Sequence, residues 1–340
     1  MIKIVPSKGG DVLLAENDVE VTNQSENVNA LKGKQPKREP SRIRKRLWRE
    51  RYLILLLIPG ILYFLIYRYL PMGGIIIAFK DYSPFQGFID SQWVGLKYFR
   101  LIFEDPEVVK VIWNTLQISF LQIIFAFPIS IILALLLNEL RNQYYKRFIQ
   151  SIVYLPHFLS WVVVVGITVI FLRSEGLVNG FLDSAFGMDP IPFLTDPNLF
   201  KPLIVLQVIW KESGWGTIIF LAALAGVNPQ LYEAAIMDGA NRFRQAWHIT
   251  LPAIKSTIII LLILRLGNVM ETGFEHIFLM LNPFNMESGN VLDTFVYFKG
   301  IQQANYSFAT AVGVFKGIVG LVLVVVANRL AKRFGEQGLY

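Results

Sequence analysis

The sequence predicts an all-α polytopic membrane protein with six transmembrane helices, and three observations predict it. Hydrophobic residues make up 54% of the 340 residues and charged residues only 17%, where soluble domains carry nearer a quarter. The apolar residues gather into six runs, each reaching the ~20 residues that a helix needs to cross hydrocarbon. Strands of a membrane barrel would be shorter and would alternate apolar with polar residues, so the runs argue for helices.

Each element follows in chain order. The first 30 or so residues are mostly polar and read as a disordered tail, not a cleavable leader. Ten Lys/Arg fall within 32–51, directly before the first apolar run. Beside a span, such a block reads as a cytoplasmic anchor against anionic lipid, not a nucleic-acid patch. The first span covers about 52–79 and is interrupted by Arg68 and by Pro71-Met72-Gly73-Gly74. The second covers about 113–137, with Pro128 inside it, and the third about 149–172. The fourth covers about 202–227 and carries Lys211-Glu212 near its middle. The fifth runs continuously over about 252–280, and the sixth over about 307–330. Intervening stretches 80–112, 173–201 and 281–306 read as turns and loops. With an even number of spans the termini share a side, and that side holds nineteen Lys/Arg against seven opposite. Both termini are therefore expected in the cytoplasm. The expected domains are a cytoplasmic tail over 1–50 and a membrane domain over 51–340, its core about 110–330.

Several chemistries are excluded. The chain has no cysteine, so disulfides and thiolate metal sites are ruled out. Its three histidines, His157, His248 and His276, match no zinc spacing. Gly33-Lys34 is followed by Gln35, and no other stretch approaches a phosphate-cradling Gly-Lys-Ser/Thr loop. The chain is not expected to hydrolyse a nucleotide or to hold a cofactor.

Between the fourth and fifth spans lies EAAIMDGANRFRQAWHITLP, residues 233–252. It reads as helix, turn, helix. Pro229 suits a first helical turn, and Leu231, Ala234 and Ala235 share a narrow, small-residue face that Asp238 ends with a charge. Gly239 permits a sharp turn. Phe243, Ala246 and Trp247 then continue an apolar stripe. By pattern alone, the segment is either a docking surface for a soluble partner or an interfacial helix with Trp247 at the headgroups.

The spacing of Glu233-Ala234-Ala235, Gly239, Ile249 and Leu251-Pro252 resembles the EAA loop of binding-protein-dependent ABC import permeases, the type I importers. Further stretches resemble the carbohydrate branch of that family. They are Tyr69-Leu70-Pro71-Met72-Gly73, Ala78-Phe79-Lys80-Asp81-Tyr82, Trp93-Val94-Gly95-Leu96, Leu231-Tyr232, Gly273 to Leu279, and Ala327 to Arg333. More narrowly, they resemble permeases for oligosaccharides of pectin or rhamnogalacturonan type, over about 51–340; the tail 1–40 has no counterpart. The resemblance implies a type I importer transmembrane domain whose coupling helices seat in a cleft of an ABC ATPase dimer. Glu233 would pair with a basic group there, Gly239 would set the turn, and ATP and Mg would be bound by the partner ATPase. A second, related permease subunit and an extracytoplasmic solute-binding protein complete the implied assembly, in the cytoplasmic membrane of a prokaryote with a sugar as substrate.

Charged residues within a span are expensive and are candidates for function. Taken as one helix at 100° per residue, the fifth span places Arg265, Asn268, Glu271, Thr272 and Glu275 within about 120° of one face. They read either as a polar wall of the translocation pathway or as an ion pair of Arg265 with Glu271, with Glu275 or with the partner subunit, holding helices together. In the fourth span, Gly214 is expected to loosen the helix. Trp210, Lys211 and Trp215 offer flat rings and a cation to a sugar, or else interfacial anchors with a snorkelling lysine. Asn114, Gln117 and Gln122 read as bonds to neighbouring helices, and His157 as a satisfied structural histidine. The alternative function is an ion-coupled secondary transporter, which would use the intramembrane carboxylates but needs no EAA loop. A membrane-embedded enzyme with Glu271 and Glu275 as paired acids has no further support in the residues.

Overall fold

The computed structural model describes residues 49–333 together with Gly335 and Gly338. Nearly all of the expected basic tail, residues 1–48, lies outside the described residues. Five helical stretches are long and apolar enough to span a bilayer: Arg51–Phe79, Pro106–Asn138, Trp161–Phe186, Pro197–Ala225 and Tyr306–Arg333. A sixth arises if Arg242–Ala253 and Lys255–Gly267, bent by 62°, count as one broken span.

The chain divides into two units, Met1–Leu70 and Pro71–Tyr340. In the first, helix α1 (Arg51–Phe64) is apolar on every side and buries none of its residues. Such a helix suits lipid or another chain, not a core of its own.

The second unit begins with a 3-10 stretch, Gly73–Phe79, and a two-residue antiparallel pair, β1 (Lys80–Asp81) with β2 (Gln92–Trp93). This pair is the one departure from the all-α expectation among the described residues. Helix α2 (Lys97–Glu104) follows, then α3 (Pro106–Leu121) and α4 (Phe127–Asn138). After α5 (Gln143–Tyr154) come α6 (Trp161–Leu172) and α7 (Leu177–Phe186). The long α8 (Pro197–Ala225) leads to α9 (Pro229–Met237) and α10 (Arg242–Gln245). The last part holds α11 (Lys255–Gly267), α12 (Phe274–Met280), α13 (Leu292–Tyr297) and α14 (Tyr306–Arg333).

Caps explain many of these starts. Asp105, Asp196 and Asn228 each precede a proline at the first helical position, and each side chain accepts from the backbone N–H two residues on. Proline loses nothing there, because that N–H has no helical partner.

Three wide π turns have a common cause. They cover Leu65–Tyr69, Gln122–Ala126 and Ala246–Thr250, and each ends two residues before a proline: Pro71, Pro128 and Pro252. Proline has no N–H to donate, and its ring clashes with the carbonyl four residues earlier. That carbonyl lies inside the π turn in all three cases. Widening the turn moves it aside and lets the helix continue.

The spans differ from expectation in two places. The third span was expected over 149–172. The helix instead breaks at Leu155–Phe158, a 3-10 turn containing Pro156, and restarts at Trp161 with Ser160 as cap. The fifth was expected as one helix over 252–280. It bends at Ile254, ends at Gly267, runs without helix through Asn268–Gly273 and restarts at Phe274. Gly273 has a φ of +94°. The loop expected over 281–306 also contributes to the core, through buried Leu292 and Phe295 of α13.

Three buried clusters hold the unit together. One joins Tyr98, Ile102, Val108, Val111, Leu292, Phe295, Phe308 and Val312. A second joins Ile118, Val165, Phe200, Ile204, Ile277 and Val291. The third joins Ala134, Phe220, Leu224 and Ile254, and so fixes the bend at Ile254 against α4 and α8.

Candidate functional site

The expected docking loop is a rigid pair of helices. Asn228 caps α9, and its Oδ1 accepts from the Gln230 N–H at 3.0 Å. Helix α9 ends at Met237, Asp238 follows as its cap, and Gly239 takes a φ of +75°. A side chain there would be strained, so glycine sets the turn. Ala240 N–H then closes back on the Ala235 carbonyl at 2.8 Å. Asn241 caps α10 by accepting from the Arg244 N–H at 2.9 Å.

Two contacts fix this pair to the rest of the molecule. The Tyr232 hydroxyl bonds to Thr250 Oγ1 at 3.1 Å. Arg242 pairs with Glu139 just past the end of α4. The Arg242–Glu139 pair is not legible in the sequence, because its members lie 103 positions apart.

Helix α9 is open to solvent over most of its surface. Glu233 and Ala234 are exposed, as are Leu231, Ile236 and Met237, whereas Ala235 is half-buried. Among the described residues none forms an ion pair with Glu233. Leu251 lines a groove of about 440 Å³ with Pro128, Phe243 and Trp247. Pro252 is the second residue of the short helical turn Leu251–Ala253, which ends in the 62° bend.

The structure gathers four of the pathway candidates at two cavities and leaves the other four outside them. Arg265 and Trp215 come together, with Glu212, Gln122, Ser130 and Ser213, around a cavity of about 320 Å³. Arg265 donates to Gln122 Oε1, where the π turn of the second span begins. The Gln122 amide nitrogen is buried and has no partner among the described residues. Of the two readings of Arg265, the one that pairs it with Glu271 or Glu275 is not formed among the described residues.

Asn268 and Glu271 belong to a second cavity, of about 560 Å³, with Asp293 and Lys316. Lys316 pairs with Asp293 and lies 3.7 Å from Glu271. Lys316 was missed, although a lysine inside the sixth span is the same signal that drew attention to Arg265. Thr272 is buried with its hydroxyl unpartnered among the described residues, and Glu275 is exposed. The single polar face expected for 265–275 does not form, because the backbone leaves the helix after Gly267.

Lys211 is also corrected. It is 5% exposed, pairs with Glu212 at 3.1 Å and donates to the His157 carbonyl at 2.7 Å. It braces α8 against the 155–158 turn and does not line the cavity. Gly214 does not loosen α8, which is unbroken. A Cβ at Gly214 would collide with the Val153 carbonyl, so glycine permits a close crossing with α5. Trp210 lies outside the cavity lining, half exposed.

His157 is a satisfied structural histidine, as expected. Its Nδ1 meets Glu212 at 2.8 Å, and its ring stacks on Trp215 at 4.4 Å and 7°. The buried His276 ring stacks on Trp161 at 3.8 Å and its Nε2 bonds to Gln207 at 2.6 Å. Asn114, Gln117 and Gln122 all bond to neighbouring elements, as read from the sequence.

Broken and bent spans with a helical loop before the fifth define a polytopic membrane protein. Residues 126–336 match the family described as "Binding-protein-dependent transport system inner membrane component", and the chain belongs to it. It is a multi-pass inner-membrane permease and a transport subunit, not an enzyme. The chain is 55% identical to Protein LplB of Bacillus subtilis (strain 168), over 86% of this chain and 92% of that one. It is 51% identical to the polygalacturonan/rhamnogalacturonan transport system permease protein YteP of the same organism, over 93% and 98%. A chain from the crystal structure of a bacterial alginate ABC transporter, in complex with an alginate pentasaccharide-bound periplasmic protein, superposes with a TM-score of 0.79 and 41% identity, over 87% and 99%.

Proposed function

We propose that this permease passes oligosaccharides cut from acidic polysaccharides, and that the Arg265 cavity is its part of the pathway. The observation that carries the reading is the grouping of Arg265, Gln122 and Trp215 around one cavity of about 320 Å³. A guanidinium suits a uronate carboxylate, the unmet amide donor of Gln122 suits a sugar oxygen, and Trp215 offers a ring face to sugar C–H bonds. The names of YteP and of the alginate transporter refer to acidic polysaccharides, which supports the same class here.

The chain pairs with a second permease and receives its substrate from a solute-binding protein. An ABC ATPase dimer docks on the exposed face of α9, with Glu233, Ala234, Ala235, Asp238 and Gly239 as the coupling surface and Leu251-Pro252 carrying its motion into the fifth span. The excess of Lys/Arg on one side supports a cytoplasmic position for that loop and both termini.

The test is uptake of a labelled oligogalacturonide by cells carrying the complete transporter. Arg265→Gln is expected to lower uptake about tenfold, the equivalent of about 1.4 kcal/mol for one charge-assisted hydrogen bond. Unchanged uptake by a normally inserted Arg265→Gln chain would overturn the assignment of the cavity.

A further inference from the structure

The segment between the first two spans is a small, rigid unit. Lys80 pairs with Trp93 and Asp81 with Gln92 across the two strands. Trp93 stacks on Phe79 with centroids 5.8 Å apart and planes at 10°. Lys80 Nζ donates to the Phe88 and Ile89 carbonyls at 2.6 and 3.0 Å. The Tyr82 N–H donates to Ser307 Oγ at 2.9 Å, which fastens the hairpin to the first turn of α14.

Helix α2 follows directly and is strongly two-faced. Tyr98 and Ile102 are buried, whereas Leu96, just before the helix, and Phe103 are exposed, the latter by 66%. Two ring contacts fix its course: Tyr98 meets Phe308 at 6.3 Å, and Phe103 meets Phe315 edge-on at 5.5 Å. Phe308 and Phe315 are seven residues apart on α14, or about 10 Å along its axis. Helix α2 therefore advances along the last span, from its start toward the bilayer interior.

Depth follows from length. Helix α14 has 28 residues, which is about 42 Å against about 30 Å of hydrocarbon, so roughly 6 Å overhangs at each end. Phe315 lies nine residues after Tyr306, about 13 Å along, and hence some 7 Å inside the hydrocarbon. Phe103 is exposed beside it. The exposed surface continues past Asp105 onto Val109 and Trp113 of the second span.

We propose that α2, with Trp93 and Leu96, is an interfacial anchor that lies in the leaflet where the last span begins. Phe103 enters the acyl region, Trp93 sits at the headgroup level, and Arg100 stays with the phosphates. The occupant of this face is lipid, and the anchor holds the hairpin and the start of α14 at a set depth.

The chain has no cysteine, so single-cysteine labelling is free of background. Phe103→Cys, Leu96→Cys and, as a control on the exposed hairpin loop, Gln86→Cys are labelled with an environment-sensitive fluorophore in the full chain. The chains are placed in vesicles of phosphatidylethanolamine and phosphatidylglycerol. Labels at 96 and 103 should be blue-shifted relative to 86. A lipid nitroxide near the carbonyl end should quench them about twofold more than one near the methyl end, as a depth of about 5–10 Å requires. Quenching by aqueous iodide at 103 equal to that at 86 would overturn the anchor. So would stronger quenching by the deep nitroxide. Shielding that appears only when a solute-binding protein is added would make this a protein-docking face instead.

Discussion

Arg265 and Lys211 are both cations within spans, and their surroundings give them different work. Arg265 reaches a cavity, while Lys211 is enclosed by Glu212, the His157 carbonyl and the Trp161 ring. Lys211→Met should cost roughly 1–3 kcal/mol, because the His157 carbonyl loses its donor while Glu212 keeps His157. Thermal unfolding of the detergent-solubilised chain measures this; a normal melting temperature with weakened sugar uptake would return Lys211 to the pathway. Tyr98 gives a pH prediction. Burial, with the hydrogen bond to Asp81 at 2.6 Å, pushes its hydroxyl up to about 12. The folded chain thus holds this proton more tightly than the unfolded chain, whose tyrosine titrates near 10. The stability it contributes is complete below pH ~10 and is lost as pH rises through ~12. Alkaline unfolding of Tyr98→Phe should therefore be less steep than that of the parent over that interval.

At the scale of elements, the prolines and the glycine turn decide geometry. Pro128 lies two residues beyond the π turn that starts at Gln122. Pro128→Ala restores the N–H and removes the ring clash, so the turn is free to tighten and carry Gln122 away from Arg265. The expected result is a stable chain with reduced uptake, read by melting temperature and transport together. Gly239→Val places a β-branched residue at a φ of +75°, which costs roughly 1–3 kcal/mol of local strain. Limited proteolysis should then cut between α9 and α10, while the spans stay intact.

The whole molecule joins a stable membrane core to an exposed loop. Glu233 is exposed and projects from a helix pair tied to the second span by Arg242–Glu139. Glu233→Lys should leave insertion and folding unchanged and abolish ATP-driven uptake, because only the docking face changes sign. Uptake at the parental rate by a membrane-inserted Glu233→Lys chain would remove α9 from the coupling surface.

The sequence by itself determined that the chain crosses a membrane as apolar helices, the Lys/Arg asymmetry and the helix–turn–helix around Gly239. Each depends on composition or on neighbours within a few residues, such as Pro229 in a first helical turn and Gly239 at the sharp turn. Residues 265–275 show where this reading stops. The helical arc there assumed an unbroken backbone, and the break after Gly267 is held by packing of Val269, Met270 and Ile277 in two separate clusters. Only the tertiary structure set Arg265 against Gln122, 143 positions earlier, and Lys316 between Asp293 and Glu271. The physical reason is the same in each case: the cost of a charge in a membrane is written locally, but the group that offsets it comes from whichever helix the fold brings alongside.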